Sequence, residues 1–229
     1  MSALILKIIA CTAMAVSHFG CIFRNFLPPV WVDLLYYAGR VSFPIFAYLI
    51  TEGWQYTGSK SRYMLRLFGF ALLSQIPYAL AIDSVEAQNF ELNVLFTLFL
   101  GTCVLWIEDR ASGQQGISGG FLFILAFLPV SLGFLFEMDF GWEGILCIGL
   151  MGLVSQKNCK LGILLAAMAL IYIADFSVYY GIAFLFTLPA ILLLYFYNGS
   201  RGRVKCKYMF YLFYPLHLTV LYCIYCVLC

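Results

Sequence analysis

Charge is what this sequence has least of. Of 229 residues, 13 are Lys or Arg and 11 are Asp or Glu, 10% in all, against about a quarter in ordinary soluble domains. A water-soluble fold of this length keeps a large wetted surface, and so few charges cannot cover it. The net charge of +2 leaves no basic domain, so no nucleic-acid partner is expected. No cleavable leader is expected at the first run either. Lys7 sits inside the first apolar run and no small-residue cleavage site follows it, so that run reads as a retained span.

Cysteine, by contrast, is plentiful, with nine residues. Cys11, Cys103, Cys147 and Cys223 fall inside apolar runs, where a free thiol behaves as a small hydrophobe. Cys223, Cys226 and Cys229 recur every third residue without a His or acid close by. Helix packing is the better reading of that run, and no metal is expected. The last four residues have the form of a prenylation box, which needs a cytosolic C-terminus; the topology argued next denies one.

What is there is apolar. Hydrophobic residues make up 64% of the chain and aromatics 18%, and mean hydropathy is +0.95. A helix needs about 20 apolar residues to cross a hydrocarbon core of about 30 Å. Runs that meet or approach this cover roughly 3–23, 32–52, 63–82, 92–108, 118–136, 142–155, 161–175, 178–197 and 208–228. The expectation is all-α: a polytopic transmembrane bundle of about eight or nine helices, forming one integral membrane domain over 1–229 and embedded in lipid. The runs 142–155 and 161–175 are short, so they either re-enter or lie deep in the bundle.

The loops alternate in charge. Lys60, Arg62, Arg66, Arg110, Lys157, Lys160, Arg201, Arg203, Lys205 and Lys207 fall on one side, ten of the thirteen basic residues. The other side carries Asp83, Glu86, Glu91, Glu137, Asp139, Glu143 and Asp175, with Arg24 its one basic residue. The basic side should be cytoplasmic. With nine spans the N-terminus is then inside and the C-terminus outside.

A few ionisable residues lie where lipid should forbid them, each costing at least about 2.5 kcal/mol. At a rise of 1.5 Å per residue, Arg40 lies about 14 Å below the outer face and His217 about 14 Å above the inner one, with His18 in the outer third. Either histidine alone could be a helix-to-helix hydrogen bond. Two histidines and an arginine at converging depths favour a buried polar site. A neutral imidazole can take a proton from an amine or hydroxyl, and a fixed guanidinium can hold a carbonyl oxygen or phosphate as charge develops. Nearer the basic side, Arg62 and Arg66 share a helix face with Lys60 beside them, a seat for phosphates. The same residues would equally serve an ion-coupled transporter.

Several strings narrow this. Leu6-Lys7-Ile8-Ile9-Ala10 runs on to His18-Phe19-Gly20; Gly39-Arg40-Val41-Ser42-Phe43-Pro44 leads to Glu52-Gly53; then come Arg62-Tyr63, Arg66-Leu67, Ser74-Gln75-Ile76-Pro77, Asn93-Val94 and Tyr211-Leu212-Phe213-Tyr214-Pro215-Leu216-His217. In this order, over nearly the whole chain, they resemble the TraX family of membrane proteins. That family is named for a protein that N-acetylates a conjugative pilin from acetyl-CoA. The resemblance implies an acyltransferase-like protein of the bacterial inner membrane, with acetyl-CoA as co-substrate and a membrane-inserted peptide or pilin-like acceptor. His217 or His18 would be the general base, with His217 preferred because its flanking motif is intact. Arg40 would polarise the thioester. Lys60, Arg62 and Arg66 would receive the CoA phosphates, and Glu52, Gln75, Asn93 and Tyr214 would line or brace the cavity. Where the family usually places Asp before the first histidine, this chain has Ser17. The competing readings are a small-molecule or lipid transporter using the same cavity and a non-catalytic partner of a pilus or secretion assembly.

Overall fold

Prolines decide where several helices stop. A proline inside a helix removes the hydrogen bond to the carbonyl four residues earlier, and its ring clashes with that carbonyl. In the computed structural model, which describes residues 1–83, 91–113, 117–173, 177–202 and 207–228, this happens three times. Helix α1 (Ala3–Ile22) is followed by α2 (Pro29–Gly39), which is capped by Arg40, four residues before Pro44 in α3 (Ser42–Tyr56). After α4 (Lys60–Tyr78) and α5 (Val94–Ser112), α6 (Ile117–Leu125) ends four residues before Pro129 in α7 (Phe127–Leu135). Beyond α8 (Gly141–Gly152) and α9 (Lys157–Ile173), α10 (Val178–Leu185) ends four residues before Pro189 in α11 (Leu188–Tyr195), and α12 (Lys207–Leu228) completes the order. Two further prolines lie deeper inside helices, Pro77 in α4 and Pro215 in α12; α4 runs on into a π turn over Ala79–Asp83.

Helix is thus found at each of the nine expected runs, and the fold is all-α, but three of those runs are broken in two. Among the described residues five stretches are long and apolar enough to cross a membrane: Ala3–Ile22, Pro29–Tyr56, Lys60–Ile82, Val178–Tyr195 and Tyr208–Leu228. The outward face of α12 explains itself in lipid. Leu212, Leu216, Val220, Ile224 and Leu228 recur every fourth residue and all are exposed, an apolar stripe that water would not tolerate at this length. The loop charges Glu86, Asp175, Arg203 and Lys205, and Cys229, lie outside the described residues.

The chain divides into two compact units. One comprises Met1–Phe46, Leu72–Phe90 and Tyr172–Cys229; the other comprises Ala47–Ala71 and Glu91–Ile171. In the first, α1 packs on α2 and α12. The α1–α2 crossing is close because each helix brings a glycine to it: a Cβ on Gly39 would stand 2.3 Å from Ser17 Cβ, and one on Gly20 would stand 2.7 Å from Leu35 Cβ. Membrane helices gain their attraction from such backbone approach, since lipid offers no hydrophobic drive. Residues 196–200 strap the start of α1, with Ala3 N donating to Ser200 O at 2.8 Å and Asn198 N to Met1 O at 3.0 Å.

In the second unit α5 is the centre, packed by α6, α7 and α8. Gly101 sits against Ile148, and Gly149 and Gly152 sit against Val104, Leu105 and Glu108, so small residues again set the approach. Asn93 starts α5: its Oδ1 accepts from Leu95 N at 3.1 Å, while its Nδ2 donates to Ala71 O of α4 at 2.9 Å. With no exposed surface of its own, it caps one helix and ties another.

Candidate functional site

In the first unit, the two histidines of the chain meet. His18 on α1 and His217 on α12 are joined by a hydrogen bond of 2.8 Å between His18 Nδ1 and His217 Nε2. Their rings are nearly parallel, 13° apart with centroids at 5.1 Å. Aromatic neighbours fix the pair in place. Phe213 stacks on His217 at 4.9 Å, and Tyr214 presents its edge to both rings, at 6.0 Å from His18 and 5.6 Å from His217. Both histidines are half-buried, and Tyr214 is buried.

One more contact settles the protons. His217 Nδ1 lies 2.8 Å from Phe213 O, one turn back on α12. A carbonyl can only accept, so Nδ1 carries hydrogen, and in a neutral ring Nε2 is then the acceptor. His18 Nδ1 must therefore donate to it. By elimination the lone pair of His18 is on Nε2, a nitrogen with no hydrogen bond among the described residues. The chain of donors runs from His18 through His217 to a backbone carbonyl. That is how a base is held in one tautomer and how the charge it acquires is spread.

Arg40 stands in the same unit, at the break between α2 and α3. It follows Gly39, which lies on Ser17, the residue before His18. Its side chain is held on three sides. Nε donates to Tyr36 O at 3.3 Å, Nη1 donates to the Tyr172 hydroxyl at 3.3 Å, and the guanidinium lies 4.0 Å from the centre of the Tyr36 ring. A cation so fixed keeps its position as charge develops beside it. Ser17 is buried against Gly39, so it serves the helix crossing, and the orienting contact to the His18 ring comes from His217. Gln75 belongs to this unit as well.

The remaining expected residues belong to the second unit. Glu52, expected to line the cavity, pairs with Lys160 at 3.3 Å. Lys160 is 1% exposed and also lies 5.9 Å above the Tyr48 ring. The sequence places Lys160 among the loop charges; in the fold it is an interior residue of α9. Lys60 forms an ion pair with Asp109 and lies 5.0 Å over Trp54, whose Nε1 donates to the same carboxylate at 2.9 Å. Arg62 is exposed. Arg66 lies 5.8 Å from the Tyr63 ring, with its Nε buried and without a hydrogen-bond partner among the described residues. Asn93 braces α4 and α5 as described above. Sequence reasoning passed over Tyr36, Tyr172 and Phe213, the partners that fix Arg40 and His217. Only Phe213, inside the Tyr211-to-His217 string, carried a signal.

The family model described as TraX protein matches residues 2–225. A curated relative, the probable fimbrial assembly protein FimC, serogroup H1, of Dichelobacter nodosus, is 30% identical over 230 residues, covering 92% of this chain and 90% of its own. No solved structure matches. With the match running through both histidines, Arg40 and their flanking strings, this chain belongs to the TraX family.

Proposed function

We propose that this TraX-family membrane protein is an acetyltransferase, moving an acetyl group from acetyl-CoA to an amine or hydroxyl acceptor at the membrane. The observation that carries the reading is the relay from His18 through His217 to the Phe213 carbonyl. It leaves His18 Nε2 as a bare base among aromatic rings, in the unit that also holds the fixed Arg40 cation. His18 Nε2 takes the acceptor proton as its nitrogen or oxygen attacks the thioester carbonyl; Arg40 stabilises the negative charge that forms on that oxygen. The carbon–sulfur bond then breaks, and the CoA thiolate leaves with the proton returned by His18. His18 is thus the base and His217 the residue that positions it, the reverse of the order the flanking motifs alone suggest.

The fimbrial assembly relative supports a pilin-like peptide as the acceptor. Lys60 is already answered by Asp109, so the CoA phosphates fall to Arg62 and Arg66. The basic loops support a bacterial inner-membrane protein with its N-terminus inside.

The test follows radiolabelled acetyl from acetyl-CoA into membrane vesicles holding purified protein and a pilin-like peptide. His18→Ala should slow transfer by about 10²–10⁴-fold, the range for loss of a general base. His217→Phe, which keeps the stack on Phe213, should slow it by only about 10–100-fold. Transfer unchanged in His18→Ala protein of normal stability refutes the mechanism. A second reading, a transporter, is favoured by the helix breaks at Arg40 and at Phe186–Thr187, since transporters build substrate sites at interrupted helices. Substrate uptake into proteoliposomes without acetyl-CoA would select it.

A further inference from the structure

The second unit holds a small cavity of its own, of about 200 Å³, lined by Trp54 and Gln55 of α3, by Glu108, Asp109 and Ser112 of α5, and by Gly152 at the end of α8. Its two carboxylates differ. Asp109 is answered by Lys60 and by the Trp54 indole. Glu108, only 8% exposed, has an Oε2 that is buried and has no hydrogen-bond partner among the described residues. The nearest cation in sequence, Arg110, is turned onto the Trp106 ring at 3.9 Å. Gly152 leaves the space open at this oxygen, since a Cβ there would stand 2.8 Å from it. One carboxylate is left without a donor at the wall of a cavity that also offers an indole and oxygens able to accept.

We propose that this cavity binds a primary ammonium group. The ammonium has three donors and no acceptor. One donor meets Glu108 Oε2, and the others meet lone pairs of Gln55 Oε1 and of Ser112 Oγ, whose own hydrogen goes to the Glu108 carbonyl at 2.9 Å. The Trp54 indole lines the site and favours a cation over a neutral guest. The cavity is below the usual range of about 300–1,000 Å³ for ligand pockets, so the guest is small. It is either a free short-chain amine or the ethanolamine head of a lipid, which share this chemistry.

Binding of radiolabelled ethanolamine to the intact protein in detergent tests the site, with ethylene glycol, its neutral isostere, as competitor. Saturable binding, unaffected by ethylene glycol and weakened about tenfold or more in Glu108→Gln protein, is the expected result. A second arm compares the melting temperature in vesicles of phosphatidylethanolamine and of phosphatidylcholine. A rise in the former, absent in Glu108→Gln, identifies the lipid head as the source; binding of free ethanolamine without that rise identifies a soluble amine. Neither effect in the folded wild-type protein, or equal effects in Glu108→Gln, overturns the proposal. Wild-type protein and a neutral competitor keep the test valid even if the variant is unstable. Because the cavity shares no residue with His18 or His217, the outcome is independent of the acetyl-transfer reading.

Discussion

Replacing Lys160 by Ala should be among the most destabilising single changes in the protein. The Lys160 side chain is 1% exposed and that of Glu52 16%, and their charges stand 3.3 Å apart. At an effective dielectric constant of about 20 the attraction is on the order of 5 kcal/mol, before the cost of taking both groups out of water. That cost cancels much of the gain, so the intact pair adds little net stability. Deleting one partner is another matter. It leaves a buried charge unanswered, which costs about 3–5 kcal/mol. The partial exposure of Glu52 puts Lys160→Ala near the lower end, at about 3 kcal/mol. Lys160→Met with Glu52→Gln removes both charges and keeps the volume; it should return most of that loss. Denaturation of the purified protein in detergent, followed by helix content, compares the wild type, Lys160→Ala and the double variant. Were Lys160→Ala neutral, or the double variant as unstable as the single, the argument from buried charge would fail.

Three further outcomes follow from contacts described above. Gly39→Ala should cost about 1–3 kcal/mol through overpacking, since its Cβ would stand 2.3 Å from Ser17 Cβ; adding Ser17→Gly should restore the melting temperature. Asn93→Ala loses a helix cap and the bond to Ala71 O, together about 2–3 kcal/mol, and the same denaturation assay checks it. Arg62→Ala should raise the KM for acetyl-CoA by about tenfold while leaving kcat within about twofold, the mark of uniform binding lost; an unchanged KM would remove Arg62 from the phosphate site.

The helices were legible because lipid imposes a length, and runs of apolar residues report it. The breaks at Pro44, Pro129 and Pro189 were not read, although each proline marks a stop four residues before itself. A hydropathy window averages over one proline and erases the signal. Depth counting brought His18 and His217 together in expectation, but not the hydrogen bond, which depends on how two helices 199 residues apart in sequence are turned. Lys160 misled because charge was counted by position between runs; its partner is 108 residues away, and nothing local announces it. Glu108 was hidden differently. It stands beside Asp109 and Arg110 at the end of an apolar run, and its side chain alone of the three is without an ionic or ring partner among the described residues.

Ser17 shows how a resemblance and a structure divide the explanation between them. The family pattern places an acid before the first histidine, where it would orient the ring. Here the residue is buried against Gly39 at the α1–α2 crossing, and a carboxylate would meet the backbone approach that holds those helices together. The ring is oriented from the opposite side, by His217 and the Phe213 carbonyl behind it. A carbonyl is a weaker anchor than a carboxylate, because it brings a dipole in place of a full charge. On the proposed mechanism, the charge building on His18 during proton transfer would be only partly balanced by this relay. A base so placed would give its proton up readily, which suits the second half of the proposed transfer, where the departing thiolate must be protonated. Ser17→Asp tests the point directly. If the family acid acts through orientation alone, the variant should transfer at the wild-type rate, because His217 already supplies orientation; if charge balance controls the step, the added carboxylate should change the rate in protein that still holds the α1–α2 crossing.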